Sequence, residues 1–246
     1  DLLRVLTAKI DTCTDPLTAQ NVGNALYGLQ AMSSNDAEVR DLLRVLTAKI
    51  DKSVEPLDAQ GVGNALYGLQ AMSSSHTEVC DLLRVLTAKI DTCTGPLSAQ
   101  NVGNALYGLQ AMSSSDAEVR DLLRVLTAKI DTCTEPLTAQ NVGNALYGLQ
   151  AMCSSHAEVR DLLGVLTAKI DTSVEPLDVL YMSTIMSQLS CMSSDKPEVL
   201  DLATVLVSKI DSWKEALALS EATDAPPLNV RLQLYLRETA PAPLHI

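Results

Sequence analysis

Apolar residues recur along this chain three and four positions apart, in stripes that break and restart on a fixed schedule. Within 77–91 the stripe is Val79, Leu82, Leu83, Leu86 and Ile90, one face of an amphipathic helix. Within 19–32 a second stripe, Val22, Ala25, Leu26, Leu29 and Met32, predicts another helix whose opposite face carries Gln20, Asn24, Tyr27 and Ala31. The two patterns alternate with a period of 40 residues, in blocks 1–40, 41–80, 81–120, 121–160 and 161–200, and an incomplete sixth block opens at Asp201. DLLRVLTAKID, in the first helix, is unchanged in four blocks and becomes DLLGVLTAKID at 161 and DLATVLVSKID at 201.

Punctuation between the stripes agrees with this reading. Asn35, Ser75, Ser115, Ser155 and Asp195 stand three residues before Glu38, Glu78, Glu118, Glu158 and Glu198. That is the spacing of a capping box, and it predicts where each first helix starts. A connection containing Pro16, Pro56, Pro96, Pro136 or Pro176 follows, and Thr18, Asp58, Ser98, Thr138 and Asp178 are the expected caps of the second helices. Two short helices cannot bury their stripes alone, whereas stacked hairpins share one core. The expected fold is therefore all-α: a right-handed α-solenoid of about five 40-residue helical hairpins plus an incomplete C-terminal unit, covering 1–222. The fifth block departs in its second helix, where Leu180, Thr184 and Ser187 replace Gln, Asn and Tyr. Beyond DAPPL, Val230, Leu232, Leu234 and Leu236 alternate with Arg231, Gln233, Tyr235 and Arg237, which is strand periodicity. Residues 223–246 read as a Pro-containing tail, either packed on the end of the stack or left from a following domain. The chain opens without Met and inside a helix, as a piece of something longer would.

Composition narrows the function. There is no Phe and aromatics are 3%, so aliphatic side chains must fill the core. The formal charge of −12 disfavours sequence-independent nucleic-acid affinity, which comes from Lys and Arg. Of the six cysteines, Cys13, Cys93 and Cys133 share one position of the repeat and none forms a CxxC. Stacked neighbours stand ~10 Å apart, beyond the ~7 Å reach of a disulfide, so reduced intracellular thiols are expected. No apolar run is long enough to span a bilayer.

No catalytic set is visible. GNALYG has the glycines of a phosphate loop, but Leu29 and Gln30 stand where Lys and Ser or Thr are needed, and no strand precedes it. His76 and Cys80 make half a metal site at best, and the pair does not repeat at His156 and Arg160. The expectation is a non-enzymatic protein with no cofactor, no metal and no small-molecule substrate.

The candidate site is the repeated segment NVGNALYGLQAM. Two glycines per helix each cost ~1 kcal/mol relative to Ala, so Gly23 and Gly28 must let something come close, either another helix or a ligand. The opposite face repeats as Gln20, Asn24, Tyr27; Gln60, Asn64, Tyr67; Gln100, Asn104, Tyr107; and Gln140, Asn144, Tyr147. Stacking turns these into rows, which either pack between repeats or face a ligand. A second row, Arg4, Arg44, Arg84 and Arg124, is either a phosphate-binding line or a solvated face, with Asp36 near Arg40 and Asp51 near Arg44 in projection.

AQNVGNALYGLQAM resembles the signature helix of octotricopeptide repeats, and the likeness extends over about 1–200. The period is 40 here, Tyr stands for the usual Trp, and the charge is acidic. The resemblance implies a chloroplast or mitochondrial protein binding single-stranded RNA, with the Gln, Asn and Tyr rows on bases and the arginines on phosphates. The alternative is a protein–protein interaction scaffold. A reader of mixed RNA sequence varies its reading residues, whereas here variation falls at 12–15, 18 and 35–37, in the turns.

Overall fold

A computed structural model describes residues 2–173, 192 and 195–209 of the chain. Long helices α1 (Leu2–Thr12), α3 (Ala37–Lys52), α5 (Thr77–Asp91), α7 (Ala117–Asp131), α9 (Ala157–Asp171) and α10 (Pro197–Ser208) carry the first stripe. Short helices α2 (Ala19–Tyr27), α4 (Ala59–Tyr67), α6 (Ala99–Tyr107) and α8 (Ala139–Gly148) carry the second. The fifth block's second helix, with Asp178, Leu180, Thr184 and Ser187, lies outside the described residues, as do the expected strand and the 223–246 tail.

Each long helix packs on the long helix of the next block, and each short helix on the next short helix. The result is two layers with one leucine-rich core between them. Leu42, Leu43, Leu46 and Ile50 of α3 belong to the same buried cluster as Val62, Leu66 and Leu69 of the short-helix layer, and the pattern continues through Leu162, Leu163, Leu166 and Ile170 of α9. This is the all-α solenoid of helical hairpins that the 40-residue period predicts.

The short-helix caps form as expected. The side chains of Thr18, Asp58, Ser98 and Thr138 accept from the backbone N–H three residues on, at 3.2, 2.6, 3.2 and 3.2 Å. These helices end sooner than the stripe suggests. After Tyr27 the chain tightens into three-residue turns, with Leu29 N–H donating to Leu26 O at 2.9 Å and Met32 N–H to Leu29 O at 2.8 Å.

The capping box on the long helices does not form. Their N-caps are Asp36, His76, Asp116, His156 and Lys196, one residue later than expected, and none makes a side-chain capping bond. This puts Glu38, Glu78, Glu118 and Glu158 at the second helical position, and their carboxylates accept from arginines of the preceding long helix instead. Arg40 holds the turn, donating to Ser34 O at 2.6 Å and Asn35 O at 2.9 Å, and Arg120 and Arg160 do the same in their blocks.

Polar bonds between blocks repeat as faithfully as the core. Buried Ser34, Ser74 and Ser114 accept from the backbone N–H of Ser73, Ser113 and Cys153 at 2.9, 2.9 and 2.8 Å. Lys49 Nζ donates to the carbonyls of Asp11 and Cys13, where α1 ends, at 2.8 and 2.6 Å. Lys89, Lys129, Lys169 and Lys209 repeat this on the preceding long helix. A cation there meets both the orphan carbonyls and the negative end of the helix dipole.

Candidate functional site

Gly23 and the copies of Gly28 in later blocks have their explanation in helix packing, whereas Gly28 itself, in the first described short helix, meets only its own helix. A Cβ on Gly68 would overlap the carbonyl oxygen of Leu26, and Gly108 and Gly148 stand in the same relation to Leu66 and Leu106. The Cα hydrogen points at that oxygen, a weak but recurring contact. The other glycine of each helix also lies close to its neighbour: a Cβ would come 3.2 Å from Gly61 Cα at Gly23, and 3.1 Å from Asn141 Cα at Gly103. The short helices therefore touch backbone to backbone.

That close spacing brings the tyrosines together. Tyr27, Tyr67, Tyr107 and Tyr147 form a continuous column, with ring centroids 5.7, 5.5 and 5.5 Å apart and interplanar angles of 21°, 20° and 21°. Such offset stacking satisfies the rings' quadrupoles. A base slipped between two rings needs about 6.8 Å, two stacking steps of ~3.4 Å, so none fits between neighbours, and Tyr67 and Tyr107 have both faces covered. Tyr27 at the start of the column is 41% exposed, and the other three rings are half-buried. The column presents ring edges and hydroxyls.

Beside it run the two amide rows. Gln20, Gln60, Gln100 and Gln140 are exposed; Asn24 is exposed, and Asn64, Asn104 and Asn144 are half-buried. None of these side chains, and none of the tyrosine hydroxyls, has a hydrogen-bond partner within the described residues. The face also carries no cation. No Lys or Arg occurs in 13–35, 53–75, 93–115 or 133–155, the segments that build it.

The arginines lie elsewhere. Arg44 on the helical wheel of α3 points away from the core, as Tyr27 does on α2, and the core separates the two layers. The arginine row and the tyrosine row therefore occupy opposite faces, and the structure does not bring them together. Each arginine also has carboxylate partners: Arg4 with Glu38 at 3.0 Å, Arg44 with Asp41 and Glu78 at 2.7 and 2.8 Å, Arg84 with Asp81 and Glu118 at 2.9 and 3.3 Å, and Arg124 with Asp121 and Glu158 at 2.8 and 3.2 Å. For Arg44 these partners replace the expected Asp51, and Arg40 donates to the carbonyls of Ser34 and Asn35 rather than pairing with Asp36. Bonds to Asp41 and then Glu78 raise the pKa of Arg44. Glu78 is held below the ordinary carboxylate value, first by its own backbone N–H at the helix start and then by Arg44.

The remaining polar candidates have structural partners. His76 Nδ1 meets Ser34 Oγ at 3.1 Å and Cys80 Sγ meets Ser74 O at 3.1 Å, so the pair is committed to two different turns. Among the described residues no group of three or more His, Cys, Asp or Glu could hold a metal ion, and no helix is long and apolar enough to cross a membrane. Cys13, Cys80, Cys93, Cys133 and Cys153 are free thiols. Cys93 and Cys133 are buried fillers at the position where Ser53 and Ser173 donate to the carbonyls of Leu17 and Leu137.

Two contacts had a sequence signal that local motifs do not read. Lys recurs at position nine of every block, and Glu55 and Glu135 recur in the loops. Glu55 accepts from Ala19 N–H at 2.9 Å, and Glu135 from Ala99 N–H at 2.9 Å, each capping the short helix of the block before. Neither a family model, nor a curated protein, nor a solved structure matches the chain.

Proposed function

We propose that the chain is a non-enzymatic scaffold that holds a protein partner against its short-helix face. The observation that carries this is the set of rows of unpartnered amides and phenols, identical from block to block, on a face without a single Lys or Arg. A surface of that kind offers donors and acceptors with little for a phosphate chain to neutralise. Single-stranded RNA is the second reading. It is favoured by the resemblance of NVGNALYGLQAM to octotricopeptide repeats and by the open outer face of Tyr27. Against it, the arginines that would meet phosphates face the other way and are already paired. The free thiols support a reducing, intracellular setting; chloroplast or mitochondrion rests on the resemblance alone.

The experiment compares both ligand classes. The four RNA homopolymers are titrated at about 50 and 200 mM salt, and a displayed random-peptide library is enriched on the wild-type chain. The expected result is no homopolymer binding at low salt, and enriched peptides that fail to bind Gln60→Arg plus Gln100→Arg, two substitutions at exposed positions. Homopolymer binding that weakens steeply with salt overturns the proposal in favour of RNA. Peptides that bind the doubly substituted face unchanged take the partner off this surface.

A further inference from the structure

We propose that the leading side of the first block is a docking surface for one more helical hairpin of this same repeat, presented by a separate molecule. The leading side of a block is the one that meets the block before it. This surface lies at the end of the stack rather than along the short-helix face, and the inference stands independently of the protein-binding reading above.

In the later blocks the leading side is sealed. Leu42 and Leu46 are each 2% exposed, and Gly68 is buried. The same positions of the first block are open: Leu2 is 82% exposed, Leu6 is 44% exposed, and Gly28 is exposed. Val5 beside them is exposed as well. The end of a stack that stays in water carries polar residues on its outer side. Here DLLRVLTAKID and NALYGLQAM stand in the first block letter for letter as they do inside the stack. An apolar patch of this kind at a surface marks an interaction site.

The polar fittings of the joint are also free. Lys49 and Lys129 donate to carbonyls at the end of the preceding long helix, whereas Lys9 has no partner within the described residues. Glu55 and Glu135 accept from the first N–H of the preceding short helix. Asp15 holds their position in the first block, and its carboxylate is exposed and unpartnered within the described residues. Tyr27 stacks on Tyr67 through one ring face and leaves the other open.

These groups specify the occupant. It must bring the carbonyl end of a long helix to Lys9, the N–H start of a short helix to Asp15, a leucine carbonyl to Gly28 and an aromatic ring to Tyr27. In the second and fourth blocks all four are supplied together by the trailing side of the preceding hairpin. The occupant is therefore fixed by a joint already built within the same stack.

The probe is a labelled synthetic peptide of residues 117–152, which carries both helices of one block. It is titrated into the full chain under reducing conditions and followed by fluorescence anisotropy and circular dichroism. The expected result is saturable binding with a gain in helical signal. Gly28→Ala is the deciding variant. In the free chain its Cβ meets only its own helix, so the melting temperature should hold, but against a docked hairpin it would overlap a leucine carbonyl as at Gly68. Affinity should therefore fall roughly tenfold or more. Lys9→Met, at an exposed position, should weaken binding several-fold. Equal affinity for Gly28→Ala overturns the docking geometry. No binding of this peptide, nor of a longer one spanning 77–152, overturns the proposal. Self-association of the wild-type chain that Leu2→Asp abolishes and the peptide does not displace would show the surface pairing with its own copy, and would overturn the hairpin as occupant.

Discussion

Gly68, Gly108 and Gly148 show how one missing methyl sets the geometry of a face. Each lies where a Cβ would overlap a carbonyl oxygen of the preceding short helix, and backbone cannot move aside as a flexible side chain can. Gly108→Ala should therefore destabilise the chain by about 3 kcal/mol through overpacking. Gly164 is a fair control, since it lies inside α9 with nothing within 4 Å of where its Cβ would be. Gly164→Ala should stabilise by about 0.5–1 kcal/mol, through helix propensity and a less flexible unfolded chain. Urea denaturation of the two variants checks both signs, and equal losses would remove the packing explanation. From sequence, a glycine pair in a helix signals close approach but does not say what approaches. The answer needed the position of Leu26 O, forty-two residues from Gly68, which no local pattern carries. The tyrosines divided similarly. Their alignment was legible from the period, but the mutual stacking that occupies their faces depends on a spacing set by the glycines.

Among the helices, legibility followed the range of the competing interactions. Thr18, Asp58, Ser98 and Thr138 cap as their sequence suggests, because cap and donor lie three residues apart and nothing distant competes. The Ser-x-x-Glu spacing before the long helices misled, because an arginine thirty-four residues earlier takes the glutamate. Charge assistance makes that bond stronger than a neutral cap. The loop glutamates show a gap in an otherwise regular device. Glu55 and Glu135 cap α2 and α6, but the equivalent position in the third block is Gly95, so α4 lacks this anion at its N-terminus. Nothing lies within 4 Å of where a Cβ on Gly95 would be. Gly95→Glu should add about 0.5 kcal/mol by meeting the Ala59 N–H and the helix dipole, measured as a higher urea midpoint that shrinks in high salt. No rise at low salt would count against the cap.

Across the whole molecule, the carboxylate–arginine pairs link long helix to long helix, and they titrate. Glu38, Glu78 and Glu158 are held below their ordinary value of 4.5, each first by its own backbone N–H and then by an arginine. A carboxylate with a depressed folded pKa stabilises the native state above 4.5, and that contribution is lost as pH falls through the depressed value. The melting temperature should fall on acidification below about 4.5, and Glu78→Gln should fall less steeply than wild type. Parallel curves would show that the pair contributes nothing measurable. The overall architecture was the most legible feature, because a strict period forces every block into the same relation with the next. The joints among the first four blocks reuse one set of fittings, a serine, a lysine, a glycine and an arginine–glutamate link, so inserting or deleting a whole 40-residue block among them leaves no mismatched seam. The length of the short-helix face can thus change by unequal crossing-over in single steps. A gene built this way can lengthen or shorten the stack without evolving a new contact.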